Sequence, residues 1–224
     1  QTGVYRAMDK LGPSSVKDIA AESNVNERYL LEWLSSNAGR GYVTYHEDSD
    51  KFSLSPEQAA VFARENEPTC IQGLMQGVVG QFVKEDVAID VFKTGRGRPW
   101  GEHHECCFCG TERFFRPAYA GHLLDEWIPA MTGVEEKLKM GAKVADIGCG
   151  LGTSSMLMAE QYPNSTIHAF DFHEPSIEEA KKRAENKGLS NLEFFVSDAA
   201  AIPNESYDLA CIFDAWHDMG DPVG

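Results

Sequence analysis

The sequence predicts an α/β fold in which a mostly helical N-terminal domain precedes a parallel sheet, of which the first four strands are present. Two observations support this prediction. From Ala142 onward, short apolar runs alternate with helix-like segments, which is the order of a parallel sheet with crossover helices. Within that stretch, the glycine-rich loop 148–152 stands between the first strand and the first helix, where such sheets bind nucleotide-type ligands.

Composition narrows the class of protein before any motif is considered. The 224 residues are 42% hydrophobic and carry a formal net charge of −15, so the chain can bury a core but repels phosphate backbones and anionic lipid. No apolar run approaches the roughly 18 residues of a membrane span. The six cysteines, three of them crowded together, are typical of reduced thiols. We therefore expect a cytoplasmic protein that binds neither nucleic acid nor membrane.

Residues 1–62 are predicted to form a winged-helix domain. Apolar residues at helical spacing mark three helices, and short β-type runs mark a hairpin: Val4–Leu11, Val16–Ser23, Glu27–Asn37, Gly41–Tyr45 and Lys51–Leu54. Gly12 and Pro13 separate the first two helices, and Asn26 is placed to cap the third. In that third helix, four apolar residues are expected to be buried: Leu30, Leu31, Trp33 and Leu34.

The charges of this domain argue against DNA as its partner. The third helix carries Glu27 and Glu32 against Arg28, and the turn of the hairpin is acidic, with Glu47 and Asp48. A helix that reads a DNA groove needs Lys or Arg facing the phosphates. A packing or dimerisation domain is the simpler interpretation.

Residues 63–140 are predicted to be a mostly helical linker region. Helical patterns extend over residues 56–93, Phe114–Met131 and Val134–Lys139. Residues 94–110, rich in Gly, Pro, His and Cys, are predicted to be a loop.

This predicted loop contains residue types that bind metals. Two histidines and three cysteines lie within seven residues: His103, His104, Cys106, Cys107 and Cys109. Zinc is one hypothesis, but adjacent ligands rarely close one tetrahedral site, and metal sites usually bring a second pair from elsewhere in the chain. We therefore predict no metal and interpret these residues as a loop with incidental thiols.

Residues 141–224 are predicted to form the parallel sheet. Its strands are Lys143–Ile147, Thr166–Phe170, Leu192–Val196 and Leu209–Phe213. Helices between them include Ser154–Gln161 and Ser176–Asn186. Because the chain begins with Gln1 and stops shortly after the fourth strand, we expect it to be part of a longer protein.

Three successive strand ends carry residues suited to one ligand. The loop after the first strand has Gly148, Gly150 and Gly152, while Asp171 ends the second strand and Asp198 the third. Glycines let the backbone approach a ligand, and a carboxylate about 20 residues beyond the loop can accept both hydrogen bonds of a ribose diol. Either carboxylate taken alone is better explained as a helix cap or a solvated loop acid, and its position relative to the loop is what favours a ligand.

The run Asp146-Ile-Gly-Cys-Gly-Leu-Gly152, with the acids at the next strand ends, resembles class I S-adenosylmethionine-dependent methyltransferases, which have a Rossmann-like sheet. The resemblance covers residues 142 to about 220. It implies that the loop holds the methionine part of the cofactor, that Asp171 binds the ribose hydroxyls, and that Asp198 and Ala199 contact the adenine. It also implies that Asp214 lies near the methionine amine and the substrate.

The cofactor residues so predicted are Asp146, Gly148, Cys149, Gly150, Gly152, Asp171, Phe172, Asp198, Ala199 and Asp214. For Asp146, capping of the loop amides is an equal alternative to contact with the ligand. The alternative cofactor, NAD(P), requires a different glycine spacing.

The chain is also similar to small-molecule methyltransferases whose N-terminal winged helix serves dimerisation and covers the substrate cleft. That similarity implies a homodimer that methylates a small molecule. Two other hypotheses stay open. One is a non-catalytic scaffold or regulator that binds S-adenosylmethionine, and the other is a winged-helix DNA-binding protein, which the acidic third helix disfavours.

Candidate residues for the acceptor side come from two segments. Arg113 and Arg116, followed by Tyr119 and His122, are candidates to clamp a carboxylate and to orient a hydroxyl. A helix start with surface arginines explains the same run. His217, shortly after the fourth strand, is the candidate catalytic base, and a structural histidine is its alternative. In the family resembled, the base often follows the fifth strand, which lies beyond this sequence.

Overall fold

The computed structural model describes residues 2–202, 206–221 and 223. The chain divides into two compact units, Gln1–Met75 and Gln76–Gly224. The first contains helices and a two-stranded hairpin, and the second contains helices followed by a four-stranded parallel sheet. This is the mixed α/β class that the sequence predicts.

The first unit has the predicted order of helices and hairpin. Its elements are α1 (Val4–Leu11), α2 (Val16–Ser23), α3 (Glu27–Gly39), β1 (Thr44–His46), β2 (Lys51–Ser53) and α4 (Pro56–Phe62). Polar side chains fix the helix starts: Ser15 accepts a hydrogen bond from the Asp18 amide, and Asn26 accepts from the amides of Arg28 and Tyr29. The two strands pair antiparallel and form the wing.

Helix α3 buries fewer residues than its pattern predicts. Leu30 and Leu34 are 4% and 0% exposed and join the core of this unit. The expectation that Leu31 and Trp33 are also buried is wrong, because they are 40% and 36% exposed. A surface helix turns only one stripe toward the core. Trp33 instead packs edge-on against Tyr5, with ring centroids 5.0 Å apart.

Helical elements also fill the stretch before the sheet. They are α5 (Gln72–Val83), α6 (Glu85–Thr94), α7 (Glu105–Ala118), the π-helix Tyr119–Trp127 and α8 (Val134–Met140). Nowhere in the described ranges is a helix both long and apolar enough to cross a membrane.

The start of α7 corrects the sequence prediction. The loop expected over residues 94–110 is wrong from Glu105 onward, because the helix already begins there. Its cap is His104, whose ring nitrogen accepts a hydrogen bond from the Cys106 amide at 3.2 Å. Histidine is an unusual N-cap, and Pro117 lies inside the helix near its end. The sequence signals that normally mark the start and end of a helix are therefore missing from this segment.

The sheet contains four parallel strands, as predicted. They are β3 (Lys143–Ile147), β4 (Thr166–Asp171), β5 (Leu192–Val196) and β6 (Leu209–Cys211), in the order β5-β4-β3-β6. The crossover helices include α9 (Thr153–Gln161) and α10 (Glu174–Lys187). Strand β6 ends two residues before the predicted Phe213. Soon after, the backbone turns through Asp214, whose φ of 54° is in the left-handed region.

Helices cover the strands of the sheet, so a ligand can reach the sheet at the carboxyl ends of its strands. Val144 and Ile167 are fully buried, and Met158 of α9 and Ile177 of α10 pack into the same core. The chain leaves β3 toward β4 and β5, then returns on the other side of β3 as β6. Ligands of such sheets bind at this change of direction, outside the carboxyl ends of the strands.

Two glycines of α5 provide a test of the packing before the sheet. A Cβ on Gly80 would lie 2.8 Å from the Cys107 amide nitrogen, whereas one on Gly77 would meet no described atom within 4 Å outside its own helix. We expect Gly80→Ala to lower the free energy of unfolding by about 1–3 kcal/mol. Gly77→Ala should raise it by up to about 1 kcal/mol, because alanine favours the helix.

Urea unfolding of the two variants measures this difference. Equal effects of the two substitutions would contradict the close approach of α5 to α7.

Candidate functional site

A cavity of about 1050 Å³ opens at the carboxyl ends of the strands. The glycine-rich loop after β3 lines one part of it, and the residues that follow β4, β5 and β6 line another. One face of α7 and the segment 98–103 complete the walls. The cavity therefore lies where the strand order predicts a ligand site.

The glycine-rich loop is held by the end of the neighbouring strand. The amides of Gly148 and Cys149 both donate to the Phe170 carbonyl, at 2.8 and 3.0 Å. The Gly150 amide donates to Oδ2 of Asp171 at 2.8 Å. Three successive loop amides are thus satisfied by β4, and this fixes the loop at the mouth of the cavity.

Each glycine of the loop has a positive φ, but for different reasons. The φ values are 73° at Gly148, 53° at Gly150 and 75° at Gly152. A Cβ on Gly148 would overlap Ala215, and one on Gly152 would lie 2.7 Å from the Phe194 ring. At Gly150 no described atom lies within 4 Å of an added Cβ. Packing excludes a side chain at the first and third positions, and the second leaves room for a ligand.

Asp171 is the most engaged polar residue of the site. Besides the Gly150 amide, its carboxylate accepts the His173 amide at 2.8 Å on Oδ1, and its carbonyl accepts the Ser197 amide at 3.0 Å. Its side chain is buried, yet it lines the cavity. Each carboxylate oxygen has a second lone pair, so Asp171 can still accept hydrogen bonds from a ligand.

The other predicted residues near β4 and β5 also line the cavity. Asp198 accepts the Ala200 amide at 2.9 Å and caps the short turn that begins at Ala199. Phe172 is 55% exposed. Cys149 lies on the cavity wall, and burial, followed by the charges of Asp146 and Asp171, raises the pKa of its thiol. A thiol with a raised pKa is a poor nucleophile.

Like Gly152, Asp146 is a predicted cofactor residue that does not line the cavity. It is 1% exposed, and its Oδ2 accepts hydrogen bonds from the hydroxyls of Ser154 and Ser155 at 2.7 and 2.6 Å. Burial raises the pKa of this carboxyl group, while the two serines oppose that shift. The interpretation of Asp146 as a cap of the loop amides is wrong, because those amides bond to Phe170 and Asp171. Asp146 instead joins the start of α9 to the end of β3, and its contact with the cofactor stays a prediction.

The residues after β6 bring a histidine and two carboxylates together at the cavity. Nδ1 of His217 lies 3.5 Å from Oδ1 of Asp214, and its Nε2 lies 3.4 Å from Oδ1 of Asp218. All three residues line the cavity. Asp214 adopts a left-handed backbone conformation that residues other than glycine seldom adopt, and such conformations concentrate at functional sites.

Of the four acceptor candidates between residues 113 and 122, Tyr119 lines the cavity. Its ring lies 5.3 Å from that of Phe213 and 6.2 Å from that of Trp127, measured between centroids. Burial raises the pKa of its hydroxyl, and the charges of Asp146 and Asp214 raise it further. Tyr119 therefore keeps its proton and can donate a hydrogen bond at neutral pH.

Arg113, Arg116 and His122, which were expected to face the acceptor, do not line the cavity. Helix α7 presents Phe108, Thr111, Glu112 and Phe115 to it, at the three- and four-residue spacing of one helix face. Arg113 and Arg116 lie beside that face, where they pair with Gln76 and Glu112. His122 lies on the π-helix, 3.1 Å from Glu126.

The segment predicted to be a loop contributes cavity residues that sequence reasoning missed. They are Arg98, Trp100, His103 and Cys107, joined by Gln81 of α5. If residues 105–118 had been predicted to be a helix, Phe108 and Phe115 would have fallen on the same face, which would have indicated the face that lines the cavity. Arg98 and Gln81 carry no comparable signal, because their approach depends on the tertiary fold.

The cluster of histidines and cysteines is dispersed by α7. His104 caps the helix, Cys106 and Cys107 are buried, and Cys109 is exposed. Within the part of the chain that the structure describes, no group of three or more His, Cys, Asp or Glu is placed to hold a metal ion.

Two family models match separate parts of the chain, one at each end. Residues 138–224 match the family model described as "Methyltransferase domain". Residues 1–64 match a model described as "Rv2258c-like winged HTH domain".

Curated proteins resemble only part of the chain. It is 32% identical over 111 residues to the tRNA (guanine-N(7)-)-methyltransferase of Edwardsiella ictaluri (strain 93-146), covering 42% of this chain and 46% of that protein. It is 30% identical over 77 residues to the protein YbxB of Bacillus subtilis (strain 168), covering 34% and 38%. The chain thus spans less than half the length of these two relatives.

Solved structures resemble nearly all of the chain at low identity. The mitomycin 7-O-methyltransferase MmcR has a TM-score of 0.65 and 16% identity, covering 98% of this chain and 68% of that one. Human N-acetylserotonin methyltransferase, solved in complex with S-adenosylmethionine, has a TM-score of 0.65 and 18% identity, covering 98% and 66%. At these identities, the likeness shows a shared Rossmann-like fold.

The different surroundings of the loop glycines predict different effects of the same substitution. Gly152→Ala combines a left-handed backbone with a clash against Phe194, so we expect it to lower the free energy of unfolding by about 2–5 kcal/mol. Gly150→Ala should cost only about 1–2 kcal/mol, from the backbone alone. Its Cβ would nevertheless fill the space that the loop leaves for a ligand.

Urea unfolding and calorimetric titration with S-adenosylhomocysteine separate the two cases. We expect Gly150→Ala to stay folded and to bind this ligand about tenfold more weakly or worse. Wild-type affinity in that variant would contradict the assignment of the open side of the loop as the ligand cradle.

Proposed function

The chain carries a methyltransferase domain behind a winged helix-turn-helix domain, and we propose that it transfers a methyl group from S-adenosylmethionine to a small-molecule acceptor. The observation that carries this proposal is the loop held on Asp171, with the open side of Gly150 toward a cavity at the strand ends. A loop of this kind suits a ligand that combines a ribose with an extended polar chain.

The residues present fit this cofactor. The free lone pairs of Asp171 suit two adjacent ribose hydroxyls. Asp198 follows the next strand of the sheet, on the side where the adenine attached to that ribose would lie. The carboxylate of Asp214 at the other end of the cavity suits an ammonium group. No carboxylate of this set is neutralised by an arginine or lysine ion pair among the described residues.

S-adenosylmethionine, when bound, supplies an electrophilic methyl group. The work left to the chain is to align the acceptor, to exclude water and to accept a proton where the acceptor carries one. We propose His217 as that base, with its ring oriented by Asp214 and Asp218. Tyr119, which keeps its proton, is proposed to donate a hydrogen bond that orients the acceptor.

The walls of the cavity favour a flat, partly apolar acceptor. Aromatic rings from separate segments line it, among them Trp100, Phe108, Phe115 and Phe213. Trp100 and Phe108 lie with ring centroids 5.3 Å apart. Aromatic side chains bury large areas and pack well on planar ligands. We propose that residues 63–140 serve as the region that covers the acceptor.

A tRNA acceptor, which the name of one relative suggests, is less consistent with the charges of this chain. Its net charge of −15 repels a phosphate backbone. On α3, the exposed Arg28 is paired with Glu32. We therefore propose that neither RNA nor DNA is the partner. All six cysteines are free, which fits the cytoplasm as the proposed compartment.

We further propose that the protein forms a homodimer through α5 and α6. These helices expose a set of large apolar side chains: Val78, Val79, Phe82, Val83, Ile89 and Phe92. Helix α5 carries no charged residue, so two copies of an acidic chain can meet there without repulsion.

Loss of the Asp171 carboxylate tests the proposed cofactor site. We expect Asp171→Ala to weaken S-adenosylhomocysteine binding about tenfold or more, because charge-assisted hydrogen bonds to the ribose are lost. Asp125→Ala, which removes an exposed acid outside the cavity, is the matched control. Calorimetry measures the affinity, and thermal unfolding checks that each variant is folded.

An unchanged affinity in folded Asp171→Ala would contradict the cofactor site. Binding by the wild-type chain without transfer of labelled methyl to any of a panel of small aromatic acceptors would instead favour a non-catalytic scaffold.

The dimer has a separate test. Sedimentation velocity should show a dimer for the wild-type chain and a monomer for the double variant Phe82→Glu, Phe92→Glu, whose side chains are 75% and 93% exposed. The double variant Glu57→Gln, Glu67→Gln, which changes charge elsewhere, should remain a dimer. A monomeric wild-type chain would contradict this part of the proposal.

A further inference from the structure

Arg98 is a cation of the cavity wall with an unused pair of donors. Its side chain lines the cavity, and its Nε and Nη2 atoms are buried without a hydrogen-bond partner in the described residues. Its remaining nitrogen, Nη1, donates to Oε1 of Gln81 at 3.2 Å. Two buried guanidinium nitrogens that lack partners carry a desolvation cost that a ligand can remove.

Gln81 holds Arg98 from one side only. The amide nitrogen of Gln81 lies 3.4 Å from Nδ1 of His103 and donates to the Cys107 thiol at 3.5 Å. These contacts turn the amide oxygen toward Arg98. The edge formed by Nε and Nη2 therefore has no protein partner among the described residues. It is the edge of a guanidinium that binds a carboxylate through two parallel hydrogen bonds.

The nearby Arg96 shows the opposite arrangement. Its guanidinium is exposed and pairs with Asp90 at 2.9 Å and with Glu102 at 2.9 Å, both within the protein. It does not line the cavity. Arg96 and Arg98 are two positions apart, yet the guanidinium of Arg96 is paired within the protein and two nitrogens of Arg98 are not.

The positive charge of Arg98 affects the pKa of His103, another residue that lines the cavity. Burial lowers the pKa of His103, and Arg98 lowers it further, while Asp218 and Glu102 act in the opposite direction. Asp218 belongs to the segment after β6 that carries His217. His103 therefore lies within electrostatic range of both Arg98 and the segment that follows β6.

We propose that Arg98, positioned by Gln81, is a carboxylate-binding group of this cavity. This inference rests on the proposed function for its choice of ligands. Two ligands of that reaction can bring a carboxylate, namely the amino-acid end of the cofactor and an acidic acceptor. The shared chemistry is a planar anion that takes both Nε–H and Nη2–H, and the experiment separates the two sources.

The first arm concerns the cofactor. Calorimetry compares S-adenosylhomocysteine with methylthioadenosine, which lacks the amino-acid end, on the wild-type chain, Arg98→Met, Arg98→Lys and the control Arg96→Met. If the cofactor supplies the carboxylate, Arg98→Met should lower the affinity for S-adenosylhomocysteine about tenfold or more. The affinity for methylthioadenosine should stay unchanged. Arg98→Lys keeps the charge without the two-donor edge and recovers only part of the loss.

The second arm concerns the acceptor. Ligand-observed NMR compares matched acid and amide pairs, such as 4-hydroxybenzoate with 4-hydroxybenzamide and indole-3-acetate with indole-3-acetamide. The measurements use both the apo chain and the chain loaded with S-adenosylhomocysteine. If the acceptor supplies the carboxylate, the wild-type chain prefers at least one acid over its amide by about tenfold, and Arg98→Met removes that preference.

Either pattern supports the proposal and identifies the source. Unchanged affinities in both arms overturn it, as does an equal loss in Arg96→Met, which would indicate a structural role for this segment. Failure of the wild-type chain to bind S-adenosylhomocysteine would sink the proposed function instead, and the acid preference of the apo chain would still decide the role of Arg98.

Discussion

The carboxylate of Asp171 is the interaction on which the geometry of the site depends. One side chain joins the end of β4 to the glycine-rich loop through the Gly150 amide and to the start of the next segment through the His173 amide. Its carbonyl also receives the Ser197 amide after β5. Three separate strand ends are thereby fixed to one residue, and the cavity takes its shape from that junction. A buried acceptor with two backbone donors is difficult to replace, because any substitution leaves amides unpaired.

A second carboxylate acts behind the same loop and explains why two acids occur so close together. Asp146 receives the hydroxyls of Ser154 and Ser155 and thereby fastens the first turn of α9 to the end of β3. Asp171 faces the cavity, and Asp146 faces the core. The loop between them is consequently rigid on both sides, and Gly150 is the position where its backbone stays open to a ligand. Preorganised backbone of this kind reduces the entropy lost on binding.

Local patterns were sufficient to predict the sheet and to place the glycine-rich loop and two carboxylates at its strand ends. Strand and helix periodicity places Asp171 and Asp198 at adjacent strand ends without any knowledge of tertiary contacts. The inward role of Asp146 did not follow, because nothing in the sequence shows that Ser154 and Ser155 turn back toward β3. The acceptor side depended on α7, whose unusual cap at His104 concealed its first turn. Arg113 and Arg116 were therefore expected at the cavity, which they do not line, and Arg98, which reaches it from an irregular segment, was missed.

A crystal structure of the full chain with S-adenosylhomocysteine tests the account most directly. The account predicts both ribose hydroxyls within hydrogen-bonding distance of the Asp171 carboxylate, while that carboxylate still accepts the amides of Gly150 and His173. It also predicts the backbone of Gly150 in contact with the ligand and Asp146 without contact to it. A nucleoside bound elsewhere, or an Asp171 carboxylate that must release the loop to admit the ribose, would contradict the central claim.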